Sequence, residues 1–184
     1  MDSKGYVHLT DFGIAKYAQK ENYFETSGTP GYMAPEVMCS HNHTYAVDFF
    51  AMGVFGYELM MRRRPYIGRN RKEIKDLIMS RQVQIRENEI PDGWSYEAAD
   101  FFNSLLQRKP MNRLGIRGIQ ELKNHAWFKD YDFDSLRSCK IVSPFIPVST
   151  ENIDKKYCEA KDRIGQETRE RYREIMAGEG FEKV

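Results

Sequence analysis

The stretch Ala46–Met61 (AVDFFAMGVFGYELMM) is apolar almost all the way round a helical projection, and it constrains the fold more than any other part of the sequence. A helix with apolar residues on every face belongs in the interior of a protein or of a membrane. Asp48 and Glu58 interrupt this one, and it is shorter than the roughly 20 residues a bilayer span needs. The sequence therefore predicts a helix buried on every side within a protein. Arg62-Arg63-Arg64-Pro65 ends it, because proline cannot extend a helix. Covering such a helix needs a shell of other elements, and 184 residues suffice for one sizeable core at the usual scale of roughly 100–200 residues per domain.

The shell is legible in the flanking patterns. Asn70 with Glu73 three residues later resembles a capping box, followed by the apolar stripe Ile74, Leu77 and Ile78. Ser95 suits the N-cap of a third helix with the stripe Ala98, Phe101, Phe102, Leu105 and Leu106, closed by Lys109-Pro110. A shorter helix fits Ile119 to His125. At the amino terminus, Tyr6–Thr10 alternates apolar and polar residues, the period of a half-buried strand, after the turn-forming Asp2-Ser3-Lys4-Gly5. A single hairpin is marginal alone, so this strand needs either more sheet or a helical scaffold. Residues 11–43 are irregular and rich in Gly, Pro, Ser and Thr; loops so long are usually functional or disordered. Beyond Trp127-Phe128, Ile141–Pro147 reads as extended, and Glu151–Met176 is charged and partly helical in pattern. The expected fold is mainly α with a short β-hairpin or strand at the amino terminus. It divides into 1–43, 44–129 and 130–184, with no internal repeat.

Composition excludes several function classes. A net charge of +1 gives no reason to expect a nucleic-acid partner. The three cysteines, Cys39, Cys139 and Cys158, are odd in number and lack paired metal-ligand spacing, so reduced thiols and an intracellular, cytoplasmic setting are expected. No signal pattern opens the chain, and no membrane association is expected. His41 and His43 sit in a polar loop without convergent carboxylates, a poor metal site. The basic cluster Arg62, Arg63, Arg64, Arg69, Arg71, Lys72 and Lys75 admits two readings, a solvated face or a dock for an acidic partner or substrate.

The chemistry is carried by Thr10-Asp11-Phe12-Gly13 and, one loop later, Gly31-Tyr32-Met33-Ala34-Pro35-Glu36. Asp-Phe-Gly alone is a weak signal. In this order, behind an alternating segment, the two motifs bracket the activation segment of the protein-kinase signature. The chain resembles a eukaryotic serine/threonine protein kinase, and the resemblance continues in order through nearly all of it. It implies a protein-kinase C-lobe fragment carrying the activation segment (1–43), the helical lobe (44–129) and a tail extension (130–184), with the N-lobe absent. Ser143-Pro144-Phe145-Ile146-Pro147, then Asn152-Ile153-Asp154, resembles the tail of the AGC group, although no terminal hydrophobic phosphorylation motif follows.

The resemblance also assigns roles. Asp11, with Thr10 beside it, would contact the cofactor: Asp11 matches the magnesium-binding acid of ATP-dependent phosphoryl transfer, chemistry that rests on positioning and charge stabilisation. Phe12 would pack inward and Gly13 would permit the backbone turn. Gly28-Thr29-Pro30-Gly31 would receive the substrate beside its hydroxyl, Thr29 bonding toward the catalytic-loop Asp. Glu36 would pair with Arg113 in Lys109-Pro110-Met111-Asn112-Arg113-Leu114-Gly115, and Asp48 would hold the catalytic-loop backbone. Phe49 and Phe50 stand where tryptophans are usual, and Ala126 where proline is usual. In the activation loop, Glu25 occupies the place of the usual phosphothreonine, with Thr26 and Ser27 adjacent; either Glu25 supplies a standing charge or Thr26 is the phosphosite.

The glycine-rich loop, strand lysine, helix acid and His-Arg-Asp loop of the signature cannot be placed in these residues. The general-base Asp is expected upstream of Met1, so the chain reads as truncated and inactive alone. The intact parent would transfer the ATP gamma-phosphate, with Mg2+, to Ser/Thr hydroxyls of a protein substrate, completed in cis by its N-lobe. The alternative is a non-catalytic interaction or regulatory module.

Overall fold

The computed structural model describes residues 1–17 and 20–147. Its helices are α1 (Pro35–Met38), α2 (Ala46–Met61), α3 (Arg71–Ser80), α4 (Tyr96–Leu105), α5 (Ile119–Lys123) and α6 (Phe133–Arg137), joined by 3-10 turns that include Pro30–Tyr32. The chain forms two compact units, one of Met1–Thr10 with the stretch from Cys139, the other of Asp11–Ser138. The tail resemblance at Asn152–Asp154 and the charged segment Glu151–Met176 lie outside the described residues.

In the first unit the predicted turn is present. Asp2 Oδ1 accepts the amides of Lys4 and Tyr6 at 2.9 Å each, and the Tyr6 hydroxyl donates to the Ile141 carbonyl at 2.6 Å. The strand expected over Tyr6–Thr10 is not formed: no strand occurs among the described residues. The backbone there is irregular, and Val7 and Leu9 are 81% and 84% exposed. The alternation has no sheet to bury against, and without a partner strand the pattern alone does not hold a strand.

In the second unit α2 has the predicted limits, and α4 is its main packing partner. Ala46, Phe50, Val54, Tyr57 and Met60 are buried at its contacts. α4 begins at Ser95, whose hydroxyl accepts the Ala98 amide at 3.2 Å. α3 begins at Asn70, whose Oδ1 accepts the Glu73 amide at 3.0 Å while Glu73 reaches back to the Arg69 amide at 2.8 Å. Both caps fall where the sequence placed them. An aromatic cluster of Phe101, Phe102, Trp127 and Phe128 closes the far end of α4, with ring centroids 4.9–5.7 Å apart.

The close approach of α2 and α4 depends on glycine. A Cβ on Gly56 would lie 2.0 Å from Phe102 Cε1. Phe102 is 5% exposed and edge-packed by Trp94 and Phe101, so it has little room to yield. Gly56→Ala is therefore expected to destabilise the chain by about 1–3 kcal/mol, with Phe102→Leu in the same chain restoring part of the loss. Urea unfolding checks this; an unchanged midpoint for Gly56→Ala would contradict the packing.

Burial of α2 on every side is not found. Asp48, Met52, Phe55 and Leu59, at helical spacings of four, three and four, form an exposed stripe, the last three 39%, 56% and 56% exposed. The other elements of the unit pack on the remaining faces only, so an all-round apolar composition coexists with an uncovered side. The helix ends at Arg62 in the left-handed conformation, φ 55°, a position glycine usually occupies. Relief of left-handed strain of about 1–2 kcal/mol exceeds the added unfolded-state entropy of glycine. Arg62→Gly is thus expected to raise stability by about 0.5–1 kcal/mol, read as a higher midpoint in thermal unfolding; a lower midpoint would contradict this.

Candidate functional site

Most of the site-bearing residues lie on the run from Asp11 to the start of α2, which side chains hold in place. Asn22 is buried, and its amide group spans His43, Nδ2 donating to the carbonyl at 2.8 Å and Oδ1 accepting the amide at 2.9 Å. Asparagine carries one donor and one acceptor group side by side, which suits it to bind a peptide unit in this way. The backbone N–H of Asn22 in turn donates to Asn42 Oδ1 at 2.9 Å. Lys16 Nζ meets Glu25 Oε1 at 2.5 Å, closing the segment on itself. Arg71, at the start of α3, donates to the Thr26 carbonyl at 3.3 Å.

At the amino-terminal end of the run, Asp11 adopts φ 61°, a region few residues other than glycine tolerate but aspartate does. Its Oδ1 accepts the Gly13 amide at 3.3 Å, and the Ala15 amide donates to the Phe12 carbonyl at 3.0 Å. The turn thus rests on Asp11, whereas the sequence placed its conformational burden on Gly13. Phe12 does not pack inward; it is 65% exposed. Residues 11–17 are all exposed, so the segment offers the ring no interior.

Gly28, at φ 125°, turns the chain into Thr29, whose carbonyl accepts the Tyr32 amide at 2.9 Å and opens the 3-10 turn. Pro30 and Pro35 stand at the first positions of that turn and of α1, where a missing amide costs nothing. Gly28 and Thr29 are exposed and Gly31 is buried. Arg64 fills the space over Gly31: a Cβ there would lie 2.6 Å from its Nη1. The Tyr32 hydroxyl donates to Glu58 of α2. That carboxylate holds the phenol above its ordinary pKa, partial burial adds to the shift, and Arg64 opposes it.

Glu36, in α1, and Arg113 meet in the interior, 6% and 0% exposed in their side chains. Arg113 Nη1 donates to Glu36 Oε1 at 2.7 Å and Nη2 to Oε2 at 3.1 Å. Its remaining donors reach the carbonyls of Ala46 at 2.7 Å, Gln107 at 3.1 Å and Arg108 at 3.4 Å. The fork of the guanidinium is thereby fully used, and its plane lies 5.1 Å from the Phe50 ring centre. Asp48 stands exposed in the first turn of α2, its carboxylate without a hydrogen bond or ion pair among the described residues.

The structure therefore brings Glu36 to Arg113 and ties Glu25, Thr26 and Gly31 to basic side chains, but leaves Asp11, Thr29 and Asp48 open to solvent. Sequence reasoning missed the Asn22 clamp, the Lys16–Glu25 pair and the Tyr32–Glu58 bond. None has a local spacing signal, since each joins residues whose proximity only the fold creates. No group of three or more His, Cys, Asp or Glu side chains that could enclose a metal occurs among the described residues. Asp11 by itself fits a different mode, in which one or two protein carboxylates and nucleotide phosphates share a magnesium ion.

The family description "Protein kinase domain" matches residues 1–128. Ribosomal protein S6 kinase alpha-6 of Homo sapiens is 33% identical over 151 residues, covering 81% of this chain and 20% of the relative. Serine/threonine-protein kinase N2 of Danio rerio is 35% identical over 158 residues, covering 84% of this chain and 16% of the relative. Serine/threonine-protein kinase gad8 of Schizosaccharomyces pombe is 35% identical over 164 residues, covering 85% and 28%. The chain thus spans less than a third of the length of each of these three.

Proposed function

The chain belongs to the protein kinase family, with serine/threonine kinases among its relatives, and on that premise we propose that it supplies the activation segment and helical lobe of an AGC-like serine/threonine kinase. The observation that carries the proposal is the Glu36–Arg113 pair, which ties the Ala34-Pro35-Glu36 motif to a loop 77 residues away in an otherwise apolar interior. The intact enzyme would transfer the ATP gamma-phosphate to Ser/Thr hydroxyls of an intracellular protein substrate.

In that enzyme Asp11 is the residue that would hold magnesium, which when bound neutralises phosphate charge during transfer. Oδ1 of Asp11 is committed to Gly13, and its other oxygen makes no hydrogen bond among the described residues, leaving one oxygen for a metal. Thr29 is exposed beside Gly28, where the substrate would lie next to it. The general base and nucleotide pocket of that enzyme would be supplied by its catalytic loop and N-lobe. The exposed stripe Asp48, Met52, Phe55 and Leu59 on α2 is where those residues would pack, Asp48 holding their backbone. By themselves, residues 1–184 are expected to transfer no phosphate.

Glu25 acts here as a standing charge in the activation loop. The supporting observation is its ion pair with Lys16 across the segment. Stoichiometric phosphate on Thr26 in the active protein, found by mass spectrometry, would sink that role. The function itself is tested by incubating the intact enzyme containing this chain with labelled ATP, magnesium and Ser-, Thr- and Tyr-acceptor peptides. Transfer to Ser and Thr alone is expected; transfer to none of them, or to Tyr in preference, overturns the proposal.

A further inference from the structure

The basic residues that follow α2 admit two readings in the sequence, a solvated face or a dock for an acidic partner or substrate. Arg62, Arg63, Arg69, Arg71 and Lys72 are exposed, and Arg64 is partly so. None forms an ion pair among the described residues, whereas the acids closest in sequence are occupied or too few to balance them. Glu58 accepts the Tyr32 hydroxyl, Glu73 accepts the Arg69 amide, and Asp76 alone remains on α3. In a chain of net charge +1 this is a strong local excess of positive charge. It also adjoins the activation segment: Arg64 lies against Gly31, and Arg71 donates to the Thr26 carbonyl. Two members of the cluster thus touch the segment that would border the substrate.

We propose that this surface reads acidic residues flanking the phosphoacceptor of the substrate, with Arg64 as the specificity-determining contact. The inference rests on the kinase reading above and deepens it by naming a substrate class, one opposite in charge to the basic substrates common in the resembled group. The chemistry is direct: guanidinium forks match carboxylates in a bidentate fashion, and clustered charge of one sign raises the local concentration of a partner of the other.

The test uses the intact enzyme containing this chain with one serine-acceptor peptide carrying Asp/Glu, Asn/Gln or Lys/Arg flanks. The expected result is a kcat/KM about 10-fold higher for acidic than for neutral flanks at low salt, shrinking as ionic strength rises. Arg64→Glu is expected to collapse that ratio, and the exposed pair Arg62→Ala/Arg63→Ala to lower it in part, a variant set that does not depend on Arg64 alone. Basic flanks preferred, or an acidic preference unmoved by both variants, overturns the inference while leaving the kinase reading intact. A surface reserved for phosphate on Thr26 of the same chain would show no flank preference and a loss of activity on phosphatase treatment, which also overturns it. No transfer to any of the peptides removes the kinase reading and this inference together.

Discussion

Removing either partner of the buried Glu36–Arg113 pair is expected to cost about 3–5 kcal/mol of folding stability, because the survivor becomes an uncompensated charge in the interior. That is a large share of the roughly 5–15 kcal/mol that holds a domain folded. The two truncations are not equivalent. Glu36→Ala leaves the guanidinium its three carbonyl partners, Ala46, Gln107 and Arg108. Arg113→Met removes those three bonds as well as the ion pair, and buried carbonyls without donors are costly. Arg113→Met should therefore sit at the upper end of the range and Glu36→Ala at the lower.

A third variant separates charge from hydrogen bonding. Glu36→Gln keeps an acceptor for one arm of the guanidinium and loses the charge, and its expected cost is about 1.5–3 kcal/mol. Urea unfolding followed by circular dichroism measures all three. With slopes of roughly 1–3 kcal/mol per molar urea, the larger losses move the midpoint by one molar or more. In the double variant the losses should fall short of their sum, since each single change already breaks the shared interaction. A loss below about 1 kcal/mol for both single variants would mean that the pair is not the buried tie described here.

The same pair shows what the sequence made legible. Glu36 and Arg113 could be matched only by resemblance, because 77 residues separate them and no periodicity links them. Local features were readable from local chemistry: the limits of α2 from an apolar run ended by Arg62 and Pro65, the starts of α3 and α4 from Asn70 and Ser95. Long-range features were not. The Tyr6–Thr10 alternation suggested a strand, yet a strand exists only with a partner to complete its hydrogen bonds, and none is paired there. The resemblance placed Phe12 inward and it lies exposed, since burial is a property of the surroundings and not of the ring. The all-apolar α2 suggested complete cover, and composition cannot say that Met52, Phe55 and Leu59 share one uncovered face. The Asn22 clamp left no trace in the pattern because the residues it binds, Asn42 and His43, are brought near only by the folded loop.

Asp11 concentrates the functional claim. Its exposed carboxylate, held in a left-handed turn with one oxygen bonded to Gly13, is the group in these residues proposed to hold the metal. Changing it should leave the fold nearly untouched, because it buries nothing and closes only a local turn. Its effect on phosphoryl transfer should be large, about 100-fold or more, the scale on which loss of one group stabilising transition-state charge acts. Asn retains the Asx turn to the Gly13 amide and removes the negative charge, which makes it the cleaner substitution. The decisive measurement compares gamma-phosphate transfer to a serine peptide by the intact enzyme containing this chain and its Asp11→Asn variant, at saturating ATP and varied magnesium, with thermal unfolding run on both. The account predicts transfer reduced about 100-fold or more in a variant whose unfolding midpoint is unchanged; undiminished transfer by Asp11→Asn would contradict it.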